Sequence, residues 1–467
     1  MEAKDLTYAG AAAQSKMIAS GEVTARQVVE ATLAEIDRVN PVINAYRVVF
    51  ADEALAHADR IDAAGSGDGS QSMLGVPVAI KDDTDVLGER TAWGSLATDP
   101  NPVGHDADVV TRLREAGAIV IGKTSVPELT IWPFTETLAF GATRNPWNIE
   151  YATGGSSGGS GAAAAAGLCG VAHGSDGAGS VRIPAAFNGL FGLKTQRERI
   201  SLGPNHFDGW NGMTVYGPLA RTVADAALFL DATADGAPDG GYLAALDAPF
   251  APLRIAISLK SPPGSITKLG AEQRAAIDAT AAALRELGHE VFEQEIDYPV
   301  AAFVSTVARY LRSVTDDVAT LPHPERLEQR TINMARIGGL ISDRQLAKAR
   351  AAEPRVAAQI NTIFENADAV LTPGAAAAPF KVGQLQGRGA LFTLNAAAAR
   401  VPWYGVWNAI GQPAASVPAG FDSNGLPLSV QFGAAPGDEL TLLRIAAQLE
   451  QVRPWAQARP SLAGAAQ

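Results

Sequence analysis

Gly154-Gly-Ser156-Ser157-Gly-Gly-Ser160 and, shortly after it, Gly174-Ser-Asp176-Gly177-Ala178-Gly179-Ser180-Val-Arg182-Ile-Pro184 are the stretches from which the rest of this 467-residue chain is read. Alone, the first is a tight loop of small residues, and an isolated Gly/Ser run carries no chemistry. A third frame changes that reading: Leu74-Gly-Val-Pro-Val-Ala-Ile-Lys81-Asp82. Its apolar run 76–80 reads as a buried strand that ends on Lys81. Burial disfavours the ammonium form of a lysine, so its amine becomes available as a base. A serine hydroxyl is a poor nucleophile until a base takes its proton, and serine–lysine pairs are one solution to that problem.

Outward from these frames the chain alternates helices and apolar strands. Residues 23–40 read as an amphipathic helix, with Thr24 and Gln27 as a capping box and Val29, Leu33 and Ile36 on one face. Residues 106–116 read as a second helix stopped by Gly117, followed by the β-branched strand 118–121. Strand 253–258, helix 271–287 (stopped by Gly288) and strand 290–292 repeat the pattern. The segments 64–72 and 234–241 are loops by composition. The expected class is α/β, with a sheet covered by helices on both faces.

The three frames, in this order, resemble the amidase signature family, whose members cut amides with a Ser-Ser-Lys triad and no histidine. Phe140-Gly-Ala-Thr-Arg-Asn145-Pro-Trp147, Gly217-Pro-Leu-Ala-Arg221, Asp368-Ala-Val-Leu-Thr-Pro373 and Asn408-Ala-Ile-Gly411-Gln-Pro413 extend the likeness over about residues 20–455. The resemblance implies a central mixed, twisted sheet in a single domain over 1–467. N-terminal helices would take about 1–65, the signature core 70–230, a variable helical region 240–360 and a returning core 361–455. It implies Ser180 as nucleophile, Ser156 as proton relay behind a cis peptide bond, and Lys81 as base. Nearest in flavour are bacterial amidases and 6-aminohexanoate-cyclic-dimer hydrolases. The implied enzyme is a cytoplasmic amidohydrolase, a homodimer acting on a small-molecule amide, without cofactor or metal.

The residues around the triad add detail. Gly177, Ala178 and Gly179 lack bulky side chains, so their amides, with that of Ser180, can converge on a developing oxyanion. Ser157, Asp176 and Arg182 are supporting residues, the last two as an ion pair holding the loop. Ala178 stands where relatives carry glycine; it is harmless unless the position needs a positive φ. Thr130, Trp132 and Trp407 are candidates for the substrate pocket, with Phe134, Trp403 and Tyr404 near it. They point to an apolar or aromatic acyl group.

Composition and rival motifs narrow the field. Hydrophobic residues make up 47% and charged ones 18%, and the net charge is −12, so nucleic acid is a poor partner. The single cysteine, Cys169, reads as packing, and there is neither a signal-peptide pattern nor an apolar run long enough to cross a bilayer. Gly117-Ala-Ile-Val-Ile-Gly122-Lys123-Thr124 matches a phosphate-loop pattern, but its middle is a strand, not bare backbone before a helix. Gly155-Ser-Ser157-Gly-Gly159 matches an esterase elbow, yet His173, His206, His289 and His323 lie in no distinctive frame. Asp82-Asp83-Thr-Asp85 reads as a charged turn before it reads as a metal site. Two other activities use the same triad: hydrolysis of 6-aminohexanoate oligomers, and glutamine hydrolysis for a tRNA-dependent amidotransferase. The stretch 391–420 lacks the acid that glutamine's amine would need.

Overall fold

The computed structural model describes residues 3–65, 71–206, 208–264 and 266–462, and one eleven-stranded sheet runs through them. Its strands are β1 (Tyr46–Val49), β2 (Pro77–Lys81), β3 (Ile119–Thr124), β4 (Val171–Asp176), β5 (Phe191–Lys194) and β6 (Val215–Ala220). The remainder are β7 (Arg254–Ile257), β8 (Glu290–Glu293), β9 (Ala369–Pro373), β10 (Ala414–Phe421) and β11 (Pro427–Ala434). They lie in the order β1-β3-β2-β4-β6-β5-β10-β11-β9-β7-β8. The trio β3-β2-β4 and the trio β9-β7-β8 are parallel, and the other neighbours are antiparallel, so the sheet is mixed.

Strand side chains alternate between faces, and each face is buried. On one face Val78, Ile80, Val120, Ala415, Val430 and Leu371 share a core with Leu113, Phe229, Ile277 and Leu442 of the helices. On the other, Ala79, Ile119 and Ile121 pack with Val28, Ile36 and Ala163, while Ala256 and Val370 pack with Val356 and Trp407. Such two-sided burial explains the continuous apolar runs in β2 and β3.

The expected elements are present with shifted ends. The first long helix is Ala25–Ile43, and Thr24 and Gln27 do form its capping box. The second is Asp108–Glu115, and the third is Ala271–Glu286. The strand expected to stop at 121 continues through Thr124. It continues because Lys123 finds a buried partner in Asp82, 3.1 Å away, and Gly122 passes close to β1: a Cβ there would lie 2.4 Å from the Val48 carbonyl oxygen. The loop at 234–241 lies between the helices Val223–Thr233 and Tyr242–Ala245. Of the loop expected at 64–72, residues 66–70 lie outside the described residues. Among the described residues no helix is long and apolar enough to cross a membrane.

Candidate active site

Lys81 closes β2, and Ser175 and Asp176 close the neighbouring β4. The two strands are parallel with Val78 opposite Val171, so three residues later Lys81 reaches the level of 174–175. The Gly/Ser run passes over this edge and turns into the helix Gly158–Ala165, all of whose residues are buried. Small residues are needed for that approach: a Cβ on Gly159 would meet the backbone N and O of Ser125 at 2.4 and 2.6 Å, and one on Gly174 would meet Ser157 Oγ at 2.8 Å. The Gly155–Ser156 peptide bond is cis.

The fully buried Lys81 donates from Nζ to Ser156 Oγ at 2.7 Å, and also contacts Ser175 Oγ at 2.7 Å and the Ser175 carbonyl at 3.3 Å. Asp83 Oδ2 lies 3.2 Å from the same nitrogen and accepts from Ser175 Oγ at 2.5 Å. Burial pushes Lys81 below the ordinary lysine value, and the Asp83 carboxylate opposes the shift. Asp83 itself would be raised by burial, but the Lys81 ammonium and the Ser175 hydroxyl hold it down. Ser157 Oγ donates to the Ser175 carbonyl, and Ser157 N–H to the Ser180 carbonyl, both at 3.1 Å.

The loop from β4 to the helix Arg182–Asn188 carries Ser180, which is 8% exposed. Its frame is the Asp176–Arg182 pair, both buried, with Nε to Oδ2 at 3.0 Å and Nη2 to Oδ1 at 3.0 Å. Asp176 also accepts from the N–H groups of Gly179 at 2.6 Å and Val181 at 3.1 Å. Arg182 reaches on to Gln431, the Tyr404 carbonyl and Asn408. Burial alone would raise the Asp176 carboxyl, but the Arg182 guanidinium beside it holds it well below the usual carboxylate range.

Two corrections concern this loop and the pocket. The Gly179 N–H points at Asp176, which leaves the amides of Gly177, Ala178 and Ser180 without a partner among the described residues. The positive φ of the loop (119°) falls on Gly179, so alanine at 178 sits in an ordinary conformation. Trp407, expected in the substrate pocket, lines neither of the cavities that border Ser180. It is fully buried in a core cluster, its ring filling the space over Gly433, where a Cβ would stand 2.2 Å from Trp407 Cζ2.

Two cavities meet at Ser180. The larger, of about 190 Å³, is lined by Thr130, Trp132, Trp210, Phe303, Tyr310 and Val406 among others, and by no charged side chain. The smaller, of about 70 Å³, is lined by Ser156, Ser175, Ser180, Gly177, His206 and Asp317 among others. Phe134, Trp403 and Tyr404 lie in neither; Tyr404 instead packs under the Arg182 guanidinium.

The rival motifs resolve into structure. Asp82 pairs with Arg47 and Lys123, and Asp85 accepts from Thr91 and Asn205. Among the described residues no group of acids, histidines and cysteines could hold a metal. His173 is buried against Tyr216, and burial lowers its imidazole to about 4. Sequence reasoning missed Ser175 and Asp83 as partners of Lys81; the position of Ser175 at the end of β4 was the available signal.

The profile of the family described as Amidase matches residues 27–443. A Mycobacterium tuberculosis (strain ATCC 25618 / H37Rv) protein named "Putative amidase AmiB2" is 50% identical over 463 residues, covering 99% of this chain and 100% of that protein. The 6-aminohexanoate-cyclic-dimer hydrolase of Paenarthrobacter ureafaciens is 35% identical, covering 97% of this chain and 96% of its own. A solved bacterial aryl acylamidase of the amidase signature enzymes superposes with a TM-score of 0.83 at 25% identity, covering 96% and 97% of the two chains.

Proposed function

The chain belongs to the amidase family, and from that premise we propose that it hydrolyses the C–N bond of an amide with an apolar acyl group through an ester on Ser180. The observation that carries this reading is a buried lysine in contact with Ser156, beside a serine at the mouth of an apolar cavity.

In the proposed cycle Ser180 Oγ attacks the amide carbon. Its proton passes to Ser156 Oγ, whose own proton moves to the neutral Lys81 Nζ. The negative charge on the former carbonyl oxygen is met by the amides of Gly177, Ala178 and Ser180, while Gly179 and Asp176 hold the loop in shape. A backbone donor of this kind contributes about 2.7–4 kcal/mol to the transition state. As the C–N bond breaks, the proton returns from Lys81 through Ser156 to the leaving nitrogen. Water then attacks the acyl-enzyme with the same relay and releases the carboxylate.

The uncharged lining of the larger cavity favours an aliphatic or aromatic acyl group and gives glutamine's α-amino and α-carboxylate groups no partner. A second reading, hydrolysis of 6-aminohexanoate oligomers, is supported by the likeness to the cyclic-dimer hydrolase. The test is amine or ammonia release by the purified protein alone. The panel holds aliphatic amides, benzamides, nitroanilides, glutamine and aminohexanoate oligomers, with Lys81→Ala in parallel. Turnover that is lost in the variant supports the triad and names the acyl class. Turnover that is unchanged in the variant refutes the assignment of Lys81.

A further inference from the structure

The smaller cavity differs from the larger in chemistry. Ser156 borders the small one and not the large one, whereas Ser180, Thr130 and Trp210 border both. On the cycle proposed above, Ser156 delivers the proton to the leaving nitrogen. The leaving group therefore departs on the side of the small cavity, and the acyl group occupies the large one. A cavity of about 70 Å³ holds roughly two waters or a short amine.

Two carboxylates line that cavity: Asp83, which is paired with Lys81 and Ser175, and Asp317, which is half-buried and unpaired among the described residues. Asp317 lies near the end of the helix Val300–Thr320, and its carboxylate has no hydrogen-bond or ion-pair partner among the described residues. Its neighbour Asp316 is paired with Arg312 at 2.8 Å, so no cation is left for Asp317 there. Burial and the Asp316 charge raise its carboxyl to about 7, the state of an acid that lacks a cation. Around the same cavity stand Trp93, Trp210 and Tyr216, whose ring faces attract cations. His206 also lines it, with Trp93 packed edge-on to its ring at 5.3 Å.

We propose that this cavity is a leaving-group subsite in which Asp317 recognises a second, cationic nitrogen, so that the favoured substrates are amides formed between an apolar acid and one end of a short diamine. This rests on the proposed function. The same carboxylate repels a leaving amine that ends in a carboxylate, which sets this substrate class apart from linear aminohexanoate chains.

The test uses hexanoyl amides of butylamine, of 4-aminobutanoate, and of 1,2-, 1,3- and 1,4-diamines acylated at one end. For the purified protein, kcat/KM for the best diamine amide is expected to exceed that for the butylamide by about tenfold, and the aminobutanoate amide is expected to be the poorest. In Asp317→Asn the ratio of diamine amide to butylamide falls to about one. A wild-type ratio near one, or a ratio that survives the substitution, overturns the proposal. Calorimetric binding of the same amides to Ser180→Ala and to Ser180→Ala/Asp317→Asn separates the two readings. A diamine preference that depends on Asp317 there supports the subsite even where turnover fails, and equal binding of both amides overturns it.

Discussion

Arg182→Met removes the guanidinium at the centre of the Ser180 loop. Arg182 donates five buried side-chain hydrogen bonds, two to Asp176 and one each to Gln431, Tyr404 and Asn408. The methionine fills much of the volume but leaves Asp176 as a buried, uncompensated charge. Breaking a buried pair in this way costs about 3–5 kcal/mol. For a chain of 467 residues the unfolding entropy is roughly 1 kcal/mol per degree, so the thermal midpoint should fall by about 3–5 °C. The double variant Asp176→Asn/Arg182→Met carries no unpaired charge and should recover at least about 1 °C of that loss. The pH dependence has a definite sign. Asp176 is held below its unfolded value of about 3.9, so in the wild type its contribution is fully present above that pH and is lost as pH falls through the folded value. In Arg182→Met the main cause of that depression is gone. The gap between variant and wild type is then widest near neutrality and narrows once the solution is acidic enough to protonate the unpaired carboxyl. Thermal melts of the wild type, Asp176→Asn, Arg182→Met and the double variant between pH 4 and 8 measure all of this. A midpoint for Arg182→Met within 1 °C of wild type, or a double variant equal to the sum of the single ones, would refute the reasoning.

Two further outcomes follow from the same geometry. With neutral Lys81 as the proposed base, kcat/KM should rise with pH, and Asp83→Asn, which removes the carboxylate favouring the ammonium, should move the rising limb to lower pH; a limb that moves up or stays put contradicts the role given to the pair. Ala398 lines the apolar cavity from the helix Ala390–Arg400, so Ala398→Phe should lower kcat/KM for hexanoyl or benzoyl amides by about tenfold or more while sparing acetamides, read from matched progress curves.

The parts of the site that were legible in the sequence are those set by local pattern. An apolar run ending in lysine is a buried strand, and strand pairing then places Lys81 against the Gly/Ser turn. The alternation of helices and strands likewise gave the class of fold. What stayed hidden depends on encounters between distant segments. Whether Trp407, on the helix Gly405–Ala409, faces a cavity or a core is decided by Gly433 of β11, which leaves a space of the ring's shape. Lys123 can continue β3 into the interior because Asp82, Arg90 and Thr91, far back in the chain, meet its ammonium. Asp317 shows no signal in its own neighbourhood, since Asp316 and Asp317 read as an ordinary solvated pair on a helix.

The walls of the apolar cavity have an implication for how such a protein changes over time. Most of them come from the helix Val300–Thr320 and from residues 394–406, outside the sheet edge that carries Lys81 and outside the segment 156–182. Selection, natural or in the laboratory, can therefore explore new acyl groups through one set of positions without disturbing the proposed proton relay encoded by the other. A library confined to positions 302–310 and 394–402 should be rich in folded proteins with altered preference.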